Sequence, residues 1–307
     1  MDIKRAVVTG GAGFIGSHIV DTLTAKGAEV LVIDDLSSGK RDNLPANVCL
    51  ETLDVRADGV IPLMKEFRPD TVFHLAAQMD VRRSVDDPLF DCHVNVFGTV
   101  NVLTASLESG AQRFVMASTG GAMYGDVDII PTPETVLPLP ISPYGISKLC
   151  GERYVGYFND NGLPGTVCRF GNVYGPRQDP HGEAGVVAIF GSRLLNGEPC
   201  TIFGDGTQVR DYIHVSDVAS AFLAAAERPG GVFNIGTKVG TSVNELYAIL
   251  ADEAGVTDGP VYAPARKGEL QLSTLDPGLA ERTLGWKAKI GIEDGLRSYI
   301  RWLRENR

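Results

Sequence analysis

The sequence predicts an α/β protein with a doubly wound parallel sheet, followed by a smaller α/β domain. Over the first two thirds of the chain, short apolar runs typical of buried strands alternate with amphipathic segments long enough for helices. The first run leads directly into a glycine-rich turn and a helix pattern. After about Gly171 the chain is richer in loops. We therefore expect one domain over residues 1–170 and a second mainly over 171–307, with a return of the chain to the first domain near 205–236.

Five apolar runs in the first domain are interpreted as buried strands. A parallel sheet covered on both faces has nearly continuous apolar strands rather than alternating ones. The runs span residues 3–8, 29–33, 71–74, 113–116 and 165–169, and a later strand is expected at 232–235. No repeat or flexible linker interrupts the chain, so the two domains are expected to share a rigid interface.

The composition excludes several classes of protein. With 44% hydrophobic and 21% charged residues in a chain of 307, the sequence can form a sizeable core and does not resemble a disordered protein. A formal net charge of −10 would repel a phosphate backbone, so no nucleic-acid partner is expected. The five cysteines and five histidines lack metal-ligand spacing, and we expect no metal. Without a long apolar segment or a leader pattern, a cytoplasmic protein with no membrane partner is expected.

A glycine-rich turn follows the first strand. Gly10 opens the turn, Gly11, Gly13 and Gly16 have the spacing GxGxxG, and Phe14 and Ile15 begin the helix pattern. Glycines allow the backbone to approach a pyrophosphate closely, and a helix N-terminus offers free N–H groups and the positive end of its dipole. The spacing alone is weak, but a strand before it and a helix after it are the context of a Rossmann-type dinucleotide site.

Two acidic residues, Asp34 and Asp35, end the second strand about 20 residues after the glycines. An acidic side chain at this point accepts hydrogen bonds from an adenosine ribose and repels a 2′-phosphate. The pair therefore predicts NAD rather than NADP as the cofactor. The alternative is that both aspartates only cap a surface turn.

A tyrosine and a lysine lie one turn apart on a later helix. Ser142 is the expected N-cap and Pro143 the first helical residue, which places Tyr144 and Lys148 on one face. A free tyrosine has a pKa of about 10 and is a poor base at neutral pH. A nearby ammonium and the positive nicotinamide ring would lower that pKa toward working pH. Alternatively, the two side chains are an ordinary exposed helical pair.

Two hydroxyl residues, Ser118 and Thr119, end the strand RFVMA. The carboxyl ends of parallel strands are where ligands bind in such sheets. One of these hydroxyls would share the proton that moves between a substrate and Tyr144. The alternative is that Ser118 and Thr119 only cap the turn after the strand.

Nine segments together resemble the extended short-chain dehydrogenase/reductases. They are TGGAGFIGSH, DDLSSG, LDVRAD, FHLAAQ, VNVFGT, STGGAMYG, SPYGISK, RFGNVYGPRQ and GDGTQVRDYIHVSDVA, in the family's order and over nearly the whole chain. Within that superfamily they most resemble NAD-dependent UDP-sugar 4-epimerases of the UDP-glucose 4-epimerase type. The resemblance implies a Rossmann-type domain, NAD as cofactor, and a C-terminal domain that binds the substrate, a UDP-sugar.

The resemblance also implies roles for the candidate catalytic residues. Tyr144 resembles the family's base, and Lys148 the residue that lowers its pKa and holds the cofactor ribose. Thr119 resembles the third, hydroxyl member when positions are counted from the strand. Counted back from Tyr124, that position falls on Gly120 instead, so Ser118 is kept as a second candidate for the hydroxyl.

Further contacts are implied by position in the family's motifs. Those to the cofactor are Asp34, Asp54, Val55, Leu75, Ala76, Ala77 and Asn95, the last being structural or on the cofactor side. Those to the substrate, besides Thr119 and Tyr144, are Asn172, Arg210 and Arg266 near the diphosphate and Glu269 at the uridine ribose. Arg193 would serve an acidic sugar, or is an exposed helix cation.

The reaction implied is reversible oxidation at C4 of a UDP-hexose, with UDP-glucose and UDP-galactose as substrates. Relatives that dehydrate or decarboxylate the 4-keto sugar carry carboxylates after the strand-end hydroxyl, whereas this chain has Gly120 and Gly121. The alternatives are an epimerase of UDP-glucuronate or a UDP-N-acetylhexosamine, and a non-catalytic NAD-sensing module.

The resemblance further implies a homodimer, in which the helix of Tyr144 and the helix of VNVFGTVNVLTASLESG form the interface. In the latter helix, Val96, Val100 and Leu103 share a stripe, which would otherwise face the parent sheet.

Overall fold

The structure is a computed structural model that describes residues 3–181, 185–266 and 270–306. Its main element is a parallel sheet of seven strands. Across the sheet the strands follow the order β10-β6-β5-β4-β1-β2-β3. The strands of the described chain are β1 (Arg5–Thr9), β2 (Glu29–Asp34), β3 (Cys49–Thr52), β4 (Thr71–His74), β5 (Arg113–Thr119), β6 (Gly165–Phe170), β7 (Asn172–Tyr174), β8 (Thr201–Phe203), β9 (Val209–His214), β10 (Val232–Ile235), β11 (Gly240–Ser242), β12 (Val261–Ala263) and β13 (Leu272–Ser273).

Helices cover both faces of this sheet, which confirms the predicted doubly wound α/β class. Helices α1, α8 and α10 contribute to the core on one face, and α2, α5 and α6 to the core on the other. The helices are α1 (Phe14–Ala25), α2 (Val60–Phe67), α3 (Val81–Asp86), α4 (Pro88–Cys92), α5 (Gly98–Glu108), α6 (Pro143–Asp160), α7 (Val186–Asn196), α8 (Val215–Glu227), α9 (Val243–Ala254), α10 (Gly278–Leu284) and α11 (Ile292–Glu305). None of these helices is both long and apolar enough to cross a membrane.

The sequence did not predict β3, and part of the predicted stripe was wrong. The β3 segment CLET forms the edge of the sheet and is largely exposed, so it lacks an apolar run. Residues 93–97 form a single π-helical turn before α5 rather than part of a regular α-helix. Leu103 is fully buried in the core beneath the sheet, whereas Val96 and Val100 line an outer groove. The expected common stripe is therefore divided between two environments.

The second half of the chain supplies a separate apolar cluster and two small sheets. Helices α7, α9 and α11 enclose Phe190, Leu250 and Tyr299. Strands β7, β11 and β13 pair with β9, and β8 pairs with β12. The chain was expected to return to the first domain near residues 205–236. There, β10 pairs with β6 at the edge of the main sheet and α8 packs on its face, whereas β9 belongs to another sheet. The proposed division into domains remains a prediction.

Parallel pairing brings several strand ends to one edge of the main sheet. Thr9 at the end of β1 is in register with His74 of β4, and Thr119 of β5 with Phe170 of β6. Because parallel strands share one direction, the glycine turn after β1, Asp34 at the end of β2 and Thr119 at the end of β5 all lie at this edge.

Candidate active site

The glycine turn after β1 leaves no room for a side chain at Gly10 or Gly16. Gly10 has a φ of +69°, and a Cβ there would lie 2.6 Å from the backbone nitrogen of Ala76. A Cβ at Gly16 would collide with the carbonyl oxygen of Gly10. No side chain caps α1 at Gly13, so the first turn, which Phe14 and Ile15 begin, presents its backbone N–H groups without a side-chain acceptor. This is a cradle suited to a pyrophosphate.

Asp34 and Asp35 differ sharply in environment. The buried Asp34 accepts hydrogen bonds from the N–H groups of Ala12 and Leu36, both at 2.9 Å, and burial raises the pKa of its carboxyl. Each oxygen of Asp34 keeps a second lone pair for a ribose hydroxyl. Asp35 is exposed and accepts from the backbone and hydroxyl of Ser37 at 2.9 and 2.6 Å. Asp35 thus has the turn-capping contacts that were the alternative interpretation.

The other residues implied to contact the cofactor lie around the same sheet edge. The N–H groups of Leu75 and Ala76, just after β4, donate to the Thr9 carbonyl at 3.0 and 3.1 Å, and Ala77 follows them. Asp54 accepts hydrogen bonds from the Arg56 guanidinium, which lowers the pKa of the Asp54 carboxyl. Val55 is buried against the position of Gly98.

Asn95 is buried and saturated by protein contacts. Its Oδ1 accepts from the N–H of Gln78 at 2.9 Å, and its Nδ2 donates to the Gln78 carbonyl at 2.8 Å and to Asp91 Oδ1 at 3.0 Å. Nδ2 also lies 3.3 Å from Ser147 Oγ on α6. Asn95 therefore connects the loop after β4 with the helix that carries Tyr144.

The start of α6 confirms the predicted cap and orients the tyrosine and lysine. Ser142 Oγ accepts from the N–H of Gly145 at 3.2 Å, and Pro143 is the first helical residue. Lys148 Nζ lies 5.9 Å from the centroid of the Tyr144 ring. The same Nζ donates to the Ala117 carbonyl on β5 at 3.2 Å, which fixes the ammonium beneath the strand end.

Burial dominates the acid–base properties of this pair. It lowers the pKa of Lys148 to about 8, against the opposing effect of the carboxylates of Asp91 and Glu152. Burial also raises the pKa of Tyr144 above its usual value, and Asp91 raises it further. The protein alone thus disfavours the phenolate, and added positive charge near Tyr144 is needed for it to act as a base.

His74 lies in the same interior and does not supply that charge. Its ring nitrogens lie 2.7 Å from Thr9 Oγ1 and 2.9 Å from Thr99 Oγ1. Burial lowers the pKa of His74 to about 3, so the ring is neutral at working pH. It links β1, β4 and α5.

The two strand-end hydroxyls have opposite surroundings. Ser118 is buried and donates to Glu152 Oε1 at 2.6 Å. Thr119 is partly exposed, and its Oγ1 accepts from the N–H of Ala122 at 3.2 Å, which leaves its O–H free to donate. The carbonyl of Ala122 in turn lies against Gly145 of α6. Thr119 Oγ1 is therefore held in the turn after β5, whereas the Ser118 hydroxyl is directed at Glu152 of α6.

A buried polar network lies behind these residues. Glu152 pairs with Arg169 through Nε at 2.9 Å, and Arg169 Nη1 donates to the Tyr124 hydroxyl at 2.8 Å. That hydroxyl donates to Asn234 Oδ1 at 2.8 Å. The network joins α6, β6 and β10, and it holds the Tyr124 hydroxyl in the interior.

The two glycines after Thr119 differ in the space around them. A Cβ at Gly120 would lie 2.5 Å from Leu275 Cδ1, so no side chain fits there. At Gly121 the nearest atom to such a Cβ is Asn172 Oδ1, at 3.9 Å. The exposed Asn172, on β7, thus lies beside the opening next to Thr119.

The remaining candidates are farther along the chain. The guanidinium of Arg266 stacks 4.0 Å above the ring of Phe203, and both line a cavity of about 370 Å³ together with Gln208 and Gln271. Arg210, on β9, donates to the Val209 carbonyl at 2.9 Å. Glu269 lies outside the described residues.

Arg193 does not line this cavity. It lies near the end of α7, where its Nη1 donates to the Pro199 carbonyl at 3.1 Å. This contact supports the interpretation of Arg193 as a helix-end cation and gives no support for a role with an acidic sugar.

Residues 6–236 match the family described as NAD dependent epimerase/dehydratase. The chain belongs to this family. Among curated proteins, it is similar to a UDP-glucose 4-epimerase of Mycolicibacterium smegmatis, with 45% identity over 98% of each chain. Two solved structures are UDP-glucose 4-epimerases: one from Thermotoga maritima with UDP-glucose (47% identity, TM-score 0.96), and one from Thermus thermophilus in complex with NAD (45%, TM-score 0.92). Each covers 98% of this chain and 99% of its own.

Membership in the epimerase/dehydratase family confirms the resemblance found in the sequence and NAD as the cofactor. The roles of individual site residues remain predictions. Sequence reasoning missed Phe203, Gln208 and Asp91, because their place beside the site depends on contacts between distant segments. Ser84, whose Oγ accepts from the Tyr144 N–H at 3.1 Å, was missed for the same reason.

Proposed function

We propose that the chain catalyses NAD-dependent C4 epimerisation of a UDP-hexose, with UDP-glucose and UDP-galactose as the substrates. The observation that carries the proposal is the arrangement at the sheet edge. Tyr144 and Lys148 lie one turn apart with the ammonium 5.9 Å from the phenol ring, and Lys148 is held at β5 of the sheet whose strand β1 leads into the glycine turn. The similarity to UDP-glucose 4-epimerases over nearly the full chain supports it.

The geometry of the glycine turn fits a dinucleotide. The N–H groups at the start of α1 would hold the pyrophosphate, and Asp34 would accept the adenosine ribose hydroxyls. Asp34 is buried, so a 2′-phosphate beside it would be strongly disfavoured. When bound, NAD⁺ supplies the hydride acceptor and a positive charge at the nicotinamide ring.

The chain's own residues move the proton of the C4 hydroxyl. Tyr144 accepts that proton as the base, and the Lys148 ammonium stabilises the phenolate. Thr119 donates its free O–H toward the sugar oxygen and shares the proton during transfer. When the hydride returns to the opposite face of the sugar, Tyr144 gives the proton back.

Two features of the site favour a reaction that stops at C4. Dehydration needs a further acid or base near the neighbouring carbons, and the backbone after Thr119 carries only Gly120 and Gly121 there. Leu275 fills the space at Gly120, and the side chain nearest to Gly121 is the neutral amide of Asn172. No titratable group follows Thr119 directly.

The cavity at Phe203 and Arg266 is suited to the nucleotide end of the substrate. An aromatic face, an arginine and the amides of Gln208 and Gln271 offer stacking, charge and hydrogen bonds to a pyrimidine nucleotide. We infer that Asn172, Arg210 and Arg266 bind the diphosphate side, as the resemblance implied. The contact between Arg193 and Pro199 favours a neutral sugar over a uronate.

Incubation with single UDP-sugars tests this function. The purified protein is supplied separately with UDP-glucose, UDP-galactose, UDP-glucuronate and UDP-N-acetylglucosamine, and C4 epimers are resolved by chromatography. We expect interconversion of the first two without net consumption of added NAD⁺, and bound nucleotide identified as NAD after denaturation. Activity confined to the uronate or the N-acetylhexosamine would replace the proposed substrate, and stoichiometric consumption of NAD⁺ would contradict epimerisation.

We also propose that the chain is cytoplasmic and forms a homodimer through the outer face of α4, α5 and α6. All five cysteines are free thiols, which agrees with a reducing compartment. A groove of about 720 Å³ crosses that face. Its apolar lining consists of Leu89, Phe90, Val96, Phe97, Val100 and Tyr154, among which Leu89, Phe97 and Tyr154 are exposed. A second copy presenting the same helices would bury it.

A charge in the groove should separate the subunits. Leu89 is 82% exposed within the groove, and Leu137, outside it, is 66% exposed. In sedimentation velocity at micromolar concentration, we expect the wild type and Leu137→Lys at twice the 32.8 kDa chain mass, and Leu89→Lys at the mass of one chain. A wild-type protein that sediments as one chain would reject the dimer.

A further inference from the structure

A buried carboxylate behind the tyrosine and lysine has no part in the steps above. Asp91 on α4 is 1% exposed, and α4 packs against α6. Its Oδ1 accepts hydrogen bonds from Gln78 Nε2 at 2.9 Å and from Asn95 Nδ2 at 3.0 Å. Its Oδ2 is buried and accepts no hydrogen bond from any described residue. The carboxylate is held by neutral amides on one oxygen only.

A buried charge of this kind is strongly unfavourable unless an opposite charge lies near it. The Asn95 amide that donates to Asp91 also lies 3.3 Å from Ser147 Oγ, and Ser147 precedes Lys148 on α6. The Lys148 ammonium is buried there and its hydrogen bond goes to a neutral carbonyl, so it is the cation available to balance Asp91. Glu152, the other carboxylate that acts on Lys148, is already paired with Arg169 and accepts from Ser118. Asp91 has no such cation among its hydrogen-bond partners.

We propose that Asp91 is a positioning residue, the counter-charge that keeps the Lys148 ammonium ionised and sets the pH range in which Tyr144 and Lys148 act together. Only the effect on the pH range of Tyr144 and Lys148 rests on the proposed function. The effect on Lys148 is measurable in the absence of catalysis.

Other charged groups near the pair do not replace Asp91. On α6, Glu152 is paired with Arg169, and on β4, His74 is neutral at working pH. The titratable groups on α3 and in the π-helical turn beside α4 are exposed to solvent, which weakens their effect. They are Arg82, Arg83, Asp86 and His93.

The sign of the expected shift follows from charge alone. Asp91→Asn keeps Oδ1 as an acceptor for both amides and removes the negative charge. The ammonium then loses stabilisation, so the pKa of Lys148 should fall below its value of about 8. The phenolate loses a repulsion, so the pKa of Tyr144 should fall as well. Each shift should be about one unit, at the lower end of the range for a neighbouring charge.

Nuclear magnetic resonance of the chain labelled with [ε-¹³C]lysine measures the first shift directly. The resonance missing from Lys148→Met identifies Lys148, and its titration midpoint is followed in the wild type, Asp91→Asn and Asp86→Asn. Asp86 is an exposed carboxylate on the neighbouring α3, so its variant makes the same charge change outside the interior. We expect a midpoint lower by about one unit in Asp91→Asn only. An unchanged midpoint in folded Asp91→Asn would overturn the proposal.

The pH dependence of kcat/KM provides the second measurement. Loss of the proton from Tyr144 limits the acid side and loss of the proton from Lys148 limits the basic side, so both limbs should move to lower pH in Asp91→Asn. A merely structural role would reduce activity without moving the limbs, and that result would contradict the proposal. Asp91→Ser removes the same charge with a smaller side chain and carries the same expectations if Asp91→Asn does not fold. If the lysine midpoint shifts in Asp91→Asn but the wild-type protein has no epimerase activity, the effect of Asp91 on Lys148 stands and the proposed function is rejected.

Discussion

Tyr144→Phe is expected to lower kcat by at least about a hundredfold, the lower end of the effect of a positioned acid–base group. The substitution removes one oxygen and keeps the ring that packs beside Lys148. The backbone N–H of Tyr144, which donates to Ser84, is also kept. Binding of NAD and of the UDP-sugar should therefore change little, and the loss should appear in kcat rather than in KM. Steady-state kinetics with UDP-galactose measures both.

Tyr157→Phe is the matched control for this experiment. Tyr157 lies on the same helix, is exposed, and loses the same hydroxyl. Its variant should keep wild-type turnover. Near wild-type kcat in Tyr144→Phe would mean that another group takes the C4 proton, and the assignment of Tyr144 as the base would be wrong.

The sequence could predict those parts of the site that depend on local spacing. Tyr144 and Lys148 are one turn apart on a helix whose cap is visible in the sequence, and the glycine turn follows a strand directly. The choice between Ser118 and Thr119 could not be made, because it depends on which face of β5 packs against Glu152. Asp91 is likewise invisible in the sequence, since its relation to Lys148 arises from the packing of α4 on α6.

The fold shows the same division between local pattern and tertiary context. The strand β4 is buried along its whole length, with Val72 and Phe73 at its centre, and was predicted with its observed bounds. The edge strand β3 is largely exposed, so only its pairing with β2 makes it a strand. Asp34 and Asp35 are adjacent and chemically identical, yet only Asp34 is turned toward the glycine turn, where it accepts from Ala12.

The glycine turn leads to the second large effect, a loss of stability and of bound NAD in Gly10→Ala. Gly10 has a φ of +69°, and alanine in this region is strained by about 1 kcal/mol. The new Cβ would also lie 2.6 Å from the backbone nitrogen of Ala76, whose N–H already donates a hydrogen bond to the Thr9 carbonyl. Overpacking of this kind adds about 1–3 kcal/mol, so the free energy of unfolding should fall by about 2–4 kcal/mol.

Gly27→Ala separates the strain from the collision. Gly27 has a φ of +82°, but nothing lies within 4 Å of its Cβ position, so its variant should lose only about 1 kcal/mol of stability. Urea unfolding measures both free energies, and nucleotide released on denaturation measures NAD content. Because either the glycine turn or the end of β4 must move to admit the Cβ, Gly10→Ala should also bind NAD at least about tenfold more weakly, a change of about 1.4 kcal/mol. Equal stability and equal NAD content in the two variants would show that the close approach of Gly10 to Ala76 does not shape the cofactor site.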